Sequence, residues 1–257
     1  MASTHREWLE KAISDGHINN LDYNQFTDPV TIGIGAFGKV FKYEWKDCDL
    51  TVAFKCLKVD AELNLDEKVI KNFIKELRLL RKVDCHPNII KFYGVTKDNH
   101  GYYNMVLQYA NDGNLREYLK ANFIKLQWID KLRISKEIVH GLLFLHNNNI
   151  IHRDLHSKNI LIHQKQPKIA DFGLSKQINE TSMTSNSIVR GMPAYVEPQC
   201  LFNQEYQRDK RSDVYSAGVI LWEISSGKPP FQNYTNEMIV VNIYQHKREK
   251  HVEATYP

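Results

Sequence analysis

The chain has 257 residues, 42% hydrophobic and 25% charged, with a net charge of +4. This is ordinary globular composition, long enough for one or two domains with a sizeable core, and the mild charge requires neither nucleic acid nor a membrane surface as partner. The longest apolar run, near Val214 to Ile224, is shorter than the roughly 20 residues of a membrane span, and the charged N-terminus is no secretory signal. Cys48, Cys56, Cys85 and Cys200 form no CxxC pair, which reads as a reduced, cytoplasmic protein.

Residues 1–25 open with a short helical stretch, Trp8 to Ile13, followed by a run rich in Asn and Asp. This segment reads as a lead-in that packs on the domain after it, with partner docking as the other reading. From Phe26 the pattern turns to strands. Val30-Thr31-Ile32 runs into Gly33-Ile34-Gly35-Ala36-Phe37-Gly38-Lys39-Val40, and G-x-G-x-x-G alone admits several readings. A dinucleotide fold needs a helix opening at the last glycine. Here Val40-Phe41-Lys42-Tyr43-Glu44-Trp45 alternates as a strand does, which excludes a nucleotide-binding oxidoreductase. A Walker A loop fails because Val40 stands where Ser or Thr must bind Mg²⁺. What stays open is a glycine-rich hairpin whose amides approach phosphates, or a plain turn.

The next strand, Leu50 to Leu57, puts Lys55 among apolar residues. In the helix after it, Val69, Phe73, Leu77 and Leu80 fall at helical spacing as the buried stripe. Glu76 lies beside that stripe. A carboxylate there needs a cation, and Lys55 is the candidate, unless it snorkels at a sheet edge. Pro87 stops the helix. Ile89 to Val95 and Tyr102 to Tyr109 read as strands, and Asn111-Asp112-Gly113-Asn114 as a polar break. Helices then dominate: Leu115 to Phe123, and Gln127 to His146 with Ile129, Leu132, Val139, Leu142 and Leu143 on its inner face. Two short strands, Ile160 to Ile162 and Pro167 to Ala170, are expected to hold Asn159 and Asp171 at opposite ends of a small hairpin, so that both face one metal-rich cleft. Residues 171–199 show no clear period, as functional or disordered segments do. Arg211 to Glu223 reads as a buried helix, apolar nearly all round, with Ser212 as its N-cap.

Between these elements stands Ile151-His152-Arg153-Asp154-Leu155-His156-Ser157-Lys158-Asn159, an H-R-D-x-x-x-x-N segment, and then Asp171-Phe172-Gly173. With the glycine-rich hairpin, Val52-Ala53-Phe54-Lys55 and Glu76, in that order, the span from about Phe26 to Pro257 resembles a eukaryotic protein kinase. Asp171-Phe172-Gly173-Leu174-Ser175 and Asp213-Val214-Tyr215-Ser216 resemble the tyrosine-kinase-like, Ser/Thr-directed branch. The resemblance implies an α+β, bilobal fold: a small antiparallel β-sheet lobe with one helix, a larger mainly helical lobe, and ATP between them. It divides the chain into a lead-in (1–25) and a kinase domain (26–257), with lobes at 26–107 and 114–257 joined by a hinge at 108–113.

The resemblance also implies roles. Lys55 and Glu76 place the α- and β-phosphates, Asn159 and Asp171 hold Mg²⁺, and Asp154 accepts the proton of a protein substrate's hydroxyl. ATP lies against Ile32, Gly33, Ile34, Gly35, Ala36, Phe37, Gly38, Val40, Ala53, Lys55, Leu107, Gln108, Ala110 and Leu161. Asp213 hydrogen-bonds the catalytic-loop backbone, and His152 and Phe172 are core residues that align the loops. A phosphate on Thr181, Ser182, Thr184, Ser185 or Ser187 would pair with Arg153; a polar loop without regulation is the plain alternative.

The chain departs from the pattern in four places. His156 stands where Ser/Thr kinases usually carry Lys, so Lys158 is expected to supply the positive charge. Met192 stands where many have Thr. Glu197-Pro198-Gln199 replaces A-P-E, and the chain stops soon after, before the further helices a kinase lobe normally has. The expected function is ATP- and Mg²⁺-dependent transfer to a protein hydroxyl, Ser or Thr by branch with Tyr not excluded. The alternative is a pseudokinase or shortened scaffold that binds nucleotide or a partner without turnover.

Overall fold

The computed structural model describes residues 3–35, 38–56, 67–177, 192–203 and 205–250. The chain divides into two compact units, Met1–Cys85 with Ile90–Tyr109, and His86–Ile89 with Ala110–Pro257.

The first unit contains α1 (Ser3–Ser14), β1 (Asn20–Leu21), β2 (Phe26–Gly35), β3 (Gly38–Trp45), β4 (Leu50–Cys56), α2 (Glu67–Val83), β5 (Phe92–Lys97) and β6 (Tyr103–Gln108). Its strands form one sheet in the order β1-β5-β6-β4-β3-β2. Side chains alternate along a strand, and directly opposed residues share a face. Phe41 opposes Phe54, which opposes Val106, while Tyr43 opposes Val52. These residues and Phe26 make an aromatic-rich cluster on one face, with Tyr43 stacked on Phe54 at 4.1 Å between centroids. Val40 opposes Lys55, Lys55 opposes Met105, and Ala53 opposes Leu107. The other face therefore presents Val40, Ala53, Lys55 and Leu107 together.

Phe73, Leu77 and Leu80 of α2 are buried as the spacing predicts, joined by Ile70 and Ile74; the side chain of Val69 lies outside the described residues. Part of the polar lead-in turns out to be strand: β1 pairs in parallel with β5. Asn19 comes so close that a Cβ on Gly94 would stand 2.5 Å from the Asn19 carbonyl oxygen, so the approach requires glycine.

The second unit contains α3 (Leu115–Asn122), α4 (Trp128–Asn147), β7 (Ile150–Ile151), β8 (Ile160–His163), β9 (Gln166–Ile169), β10 (Lys176–Gln177), α5 (Pro198–Phe202), α6 (Lys210–Ser226) and α7 (Asn236–Tyr244). A capping box starts α3: the Asn114 side chain accepts from Glu117 N at 3.1 Å, and Asn114 N donates to the Glu117 carboxylate at 3.4 Å. Gly227, at φ 70°, ends α6 in the left-handed conformation. α4 packs on α6 and on β9.

Several expectations are corrected here. The inner face of α4 is Ile134, Ile138, Gly141, Leu142 and Leu145. Ile129, Leu132, Val139 and Leu143 are exposed. Two apolar stripes run along this helix, and α4 turns toward α6 and β9 the one that includes Gly141, whose missing Cβ leaves room for Asn88 and Ile169. α6 is likewise not buried all round, since Val214 and Leu221 are exposed, and its N-cap is Asp209 rather than Ser212. Ile89 is not in a strand with Val95; it bridges Ile169 in the second unit. No helix among the described residues is long and apolar enough to cross a membrane.

Candidate active site

In the first unit, the β2–β3 hairpin pairs Gly33 with Val40, Ile34 with Lys39 and Gly35 with Gly38. A strand follows the last glycine, as the alternation predicts. Ile32 is exposed beside the hairpin; Ala36 and Phe37, at its tip, lie outside the described residues. Lys55 Nζ meets Glu76 Oε1 at 2.6 Å, and both side chains are largely buried. Packing draws Glu76 inward with the α2 stripe, and the ammonium answers its charge. Gln108 N donates to Lys91 O at 2.9 Å.

In the second unit, β7 delivers the chain into His152. Asp213, 1% exposed, accepts from His152 N and Arg153 N, each at 2.8 Å, and from His146 Nε2 at 2.9 Å. The His152 ring is fully buried. Its Nε2 donates to Ala170 O at 3.0 Å, which leaves Nδ1 to accept from Asp154 N at 3.4 Å. Phe172 is equally buried, its ring centroid 5.3 Å from that of His152. Arg153 and Asp171 have φ of 71° and 63°. That region is costly for a side chain with a Cβ, and the surrounding hydrogen bonds hold it.

The β8–β9 hairpin sets where Asn159 and Asp171 stand. Ile160 opposes Ile169 and Ala170 N donates to Asn159 O at 2.9 Å, so Asn159 and Asp171 flank the same open end. Asn159 gives its amide hydrogens to Asp154 O at 2.9 Å and Asp154 Oδ2 at 3.2 Å. Its side-chain oxygen is thereby the atom left for a cation, at the hairpin end that Asp171 also flanks. Two hard oxygens suit Mg²⁺, which takes few protein ligands and completes its shell with water and phosphate. No group of three or more His, Cys, Asp or Glu able to hold a metal occurs among the described residues. Leu161 pairs with Asn114 as an isolated bridge, and Ala110 is half-buried.

Burial pushes the Asp154 carboxyl above the usual carboxylate range, and the charge of Asp171 adds to this against the Asn159 hydrogen bond. His156 Nε2 stands 3.8 Å from Asp154 Oδ1, but burial pushes this imidazole down to about 4. It therefore faces Asp154 as a neutral ring, not as an ion-pair partner. Its Nδ1 accepts from Asn159 N at 3.2 Å. Lys158 is exposed on the same turn.

Sequence reasoning missed a second buried carboxylate. Glu223 is 1% exposed and takes Arg116 Nε at 3.0 Å and the Tyr195 hydroxyl. Arg116 also donates to Tyr195 Oη at 2.6 Å, and that hydroxyl lies 3.2 Å from Ser157 Oγ. One network thus ties α3 and α6 to the catalytic loop and to the segment before α5. The signal was present: Glu223 lies between Ile220 and Ile224 on the buried side of α6, the same pattern that singles out Glu76. Glu197 was missed too. Gln199 is exposed, while the Glu197 carboxylate accepts from Ser212 Oγ at 2.7 Å and from Tyr206 Oη at 3.1 Å. The A-P-E-like tripeptide therefore does hold an acid against α6, two residues earlier than expected. Beside Asp154 opens a small pocket, with Arg153, Met192, Tyr195 and Arg208 among its walls.

A kinase-type arrangement of acid, amide and metal-suited oxygens is thus present in the second unit, and a buried Lys–Glu pair below a glycine-rich hairpin in the first. The model of the protein kinase domain family matches residues 26–256, and the chain belongs to that family. It is 33% identical over 228 residues to the serine/threonine-protein kinase ATG1a of Arabidopsis thaliana, covering 87% of this chain and 35% of that protein. It is 32% identical over 217 residues to CTR1, another serine/threonine-protein kinase of that plant, covering 82% and 25%. With the human dual specificity testis-specific protein kinase 2 it shares 35% identity over 198 residues, covering 75% and 33%. The chain thus spans about a third or less of the length of these relatives.

Replacing Arg116 by Ala leaves Glu223 buried with its charge unanswered, and unfolding free energy should fall by about 3–5 kcal/mol. The double variant Arg116→Met/Glu223→Leu should recover most of that loss. Denaturant melts of the chain and both variants measure the difference.

Proposed function

We propose that this chain is an active protein kinase that transfers the γ-phosphoryl group of ATP to a Ser or Thr hydroxyl of a protein substrate. The observation that carries the reading is the arrangement around Asp154: a half-buried carboxylate, held by Asn159 and near the charge of Asp171, on a loop fixed from behind by Asp213. Asp154 would orient the acceptor hydroxyl and take its proton. Lys55, held by Glu76, would bind the α- and β-phosphates, beneath the backbone of the Gly33–Gly38 hairpin. The apolar face of Val40, Ala53 and Leu107, with Ile32, Gln108, Ala110 and Leu161, would receive the adenosine. Asn159 and Asp171 would hold Mg²⁺, which when bound neutralises phosphate charge. Lys158 would add positive charge from the catalytic loop, in place of the neutral His156.

The Ser/Thr preference follows the branch resemblance and the named relatives, and Tyr stays a second acceptor to be scored. The cytoplasmic setting expected from cysteine usage belongs to the same proposal. Thr181, Ser182, Thr184, Ser185 and Ser187 lie outside the described residues. A phosphate on one of them would find Arg153, whose charged form burial and Arg208 disfavour and which a phosphate would therefore stabilise.

Incubation with Mg²⁺ and γ-labelled ATP, with a generic acceptor protein and the chain itself, should give labelled product whose phosphoamino acid is phosphoserine or phosphothreonine. Asp154→Ala should lower the rate by about 10²–10⁴. Nucleotide binding without any transfer would favour the scaffold reading instead.

The pH profile follows from Asp154. Proton acceptance needs the ionised carboxylate, so kcat should fall on the acid side as pH drops through a value raised above the ordinary carboxylate range. His156→Lys places a permanent cation beside it and should move that acid limb down by about one pH unit. A limb that stays or moves up would contradict the assignment.

A further inference from the structure

The family match begins at residue 26, yet the residues before it are built into the first unit at three places. α1 packs on α2: Leu9 and Ala12 are buried, and the Arg78 guanidinium lies over the Trp8 ring at 3.7 Å. β1 runs along β5 as an edge strand, with Val95 N donating to Asn19 O at 2.9 Å and Asn19 Nδ2 donating to Tyr93 O at 3.1 Å. Tyr23 then reaches the aromatic face, its hydroxyl 3.0 Å from that of Tyr43.

The geometry of α2 gives these contacts a consequence. Arg78 follows Glu76 by two residues, which turns it about 200° around the helix. α1 therefore grips the side of α2 turned away from Lys55. Lys55 holds Glu76 from within by an ion pair, beside the buried stripe of Ile70, Phe73, Ile74 and Leu77, and an outward shift of the helix would separate that pair. The lead-in opposes that movement. It runs from the outer side of α2 to the β5 edge of the sheet that carries Lys55, and on to the cluster on that sheet's other face. The two halves of the ion pair are thus joined by a second connection made of residues the family match does not include.

We propose that residues 3–25 are a clamp that holds Glu76 against Lys55, with Trp8 as its positioning residue, so that the catalytically competent unit starts upstream of residue 26. This rests on the reading of Lys55 and Glu76 as the phosphate-placing pair. The clamp acts through α2 and touches no substrate. Its loss should change nucleotide handling and not merely the melting temperature.

The test uses the full chain carrying Trp8→Ala, Trp8→Phe, Glu76→Gln, or Trp8→Ala together with Glu76→Gln, all assayed well below their unfolding temperatures. Trp8→Ala should lower kcat/KM for Mg²⁺-ATP about tenfold. Trp8→Phe, which keeps a ring under Arg78, should retain most of the activity. In the Glu76→Gln background the effect of Trp8→Ala should shrink to under about twofold, because both changes remove the same restraint. Amide exchange should quicken across Ile70–Leu80 and stay unchanged in α4 and α6. Should Trp8→Ala fail to fold, Arg78→Met removes the same contact from the α2 side. An equal loss in both backgrounds, or no loss in folded protein, would overturn the clamp and leave the lead-in as a stabilising segment only. If the unaltered chain transfers no phosphate, the kinase reading fails separately, and exchange decides: quickened α2 amides in Trp8→Ala support the clamp, unchanged ones refute it.

Discussion

The Asp213 carboxylate takes the backbone N–H groups of His152 and Arg153 and the ring nitrogen of His146, and the geometry of the loop that carries Asp154 depends on that contact. Arg153 adopts a left-handed φ, which no residue with a Cβ takes without compensation. Charge-assisted hydrogen bonds to a desolvated carboxylate supply it. What they hold is the turn that aims Asp154. Packing of α6 on α4 brings Asp213 against both His146 and the backbone of the Asp154 loop, so the helical core and that loop are fixed together.

The same arrangement recurs across the protein. Glu76 is met by Lys55, Glu223 by Arg116 and Tyr195, and Glu197 by Ser212 and Tyr206. Buried ion pairs add little net stability relative to apolar replacements, but removing one partner is costly. Their effect here is geometric. Each joins elements distant in sequence: strand to helix, α3 to α6, the pre-α5 segment to α6. The contrast is His156, which burial holds neutral beside Asp154, so the aspartate has no permanent cation on that side.

Much of this was legible from side-chain spacing. The strand after Gly38, the α2 stripe, the Lys55–Glu76 pair and the Asp213 contact all follow from periodicity or from the kinase resemblance, because each depends on one element or one motif. The misreadings come where two solutions fit the pattern. α4 carries one apolar stripe through Ile129, Leu132, Val139 and Leu143 and another through Ile134, Ile138 and Leu142; which one is buried depends on what packs against it, and a single helix does not say. Glu223 and Glu197 were passed over because their partners, Arg116 and Tyr206, stand in segments with no motif of their own.

The most direct measurement is residue-resolved amide exchange on Asp213→Asn, together with its phosphotransfer rate. The carboxylate gives each N–H its own oxygen; an amide side chain has one oxygen and turns an NH₂ donor toward the other N–H, so it cannot hold both in this geometry. The account predicts that these two amides lose protection while those of α4 and α6 keep theirs, and that transfer falls with them. A variant whose His152 and Arg153 amides stay protected, or that loses their protection at full activity, would contradict it.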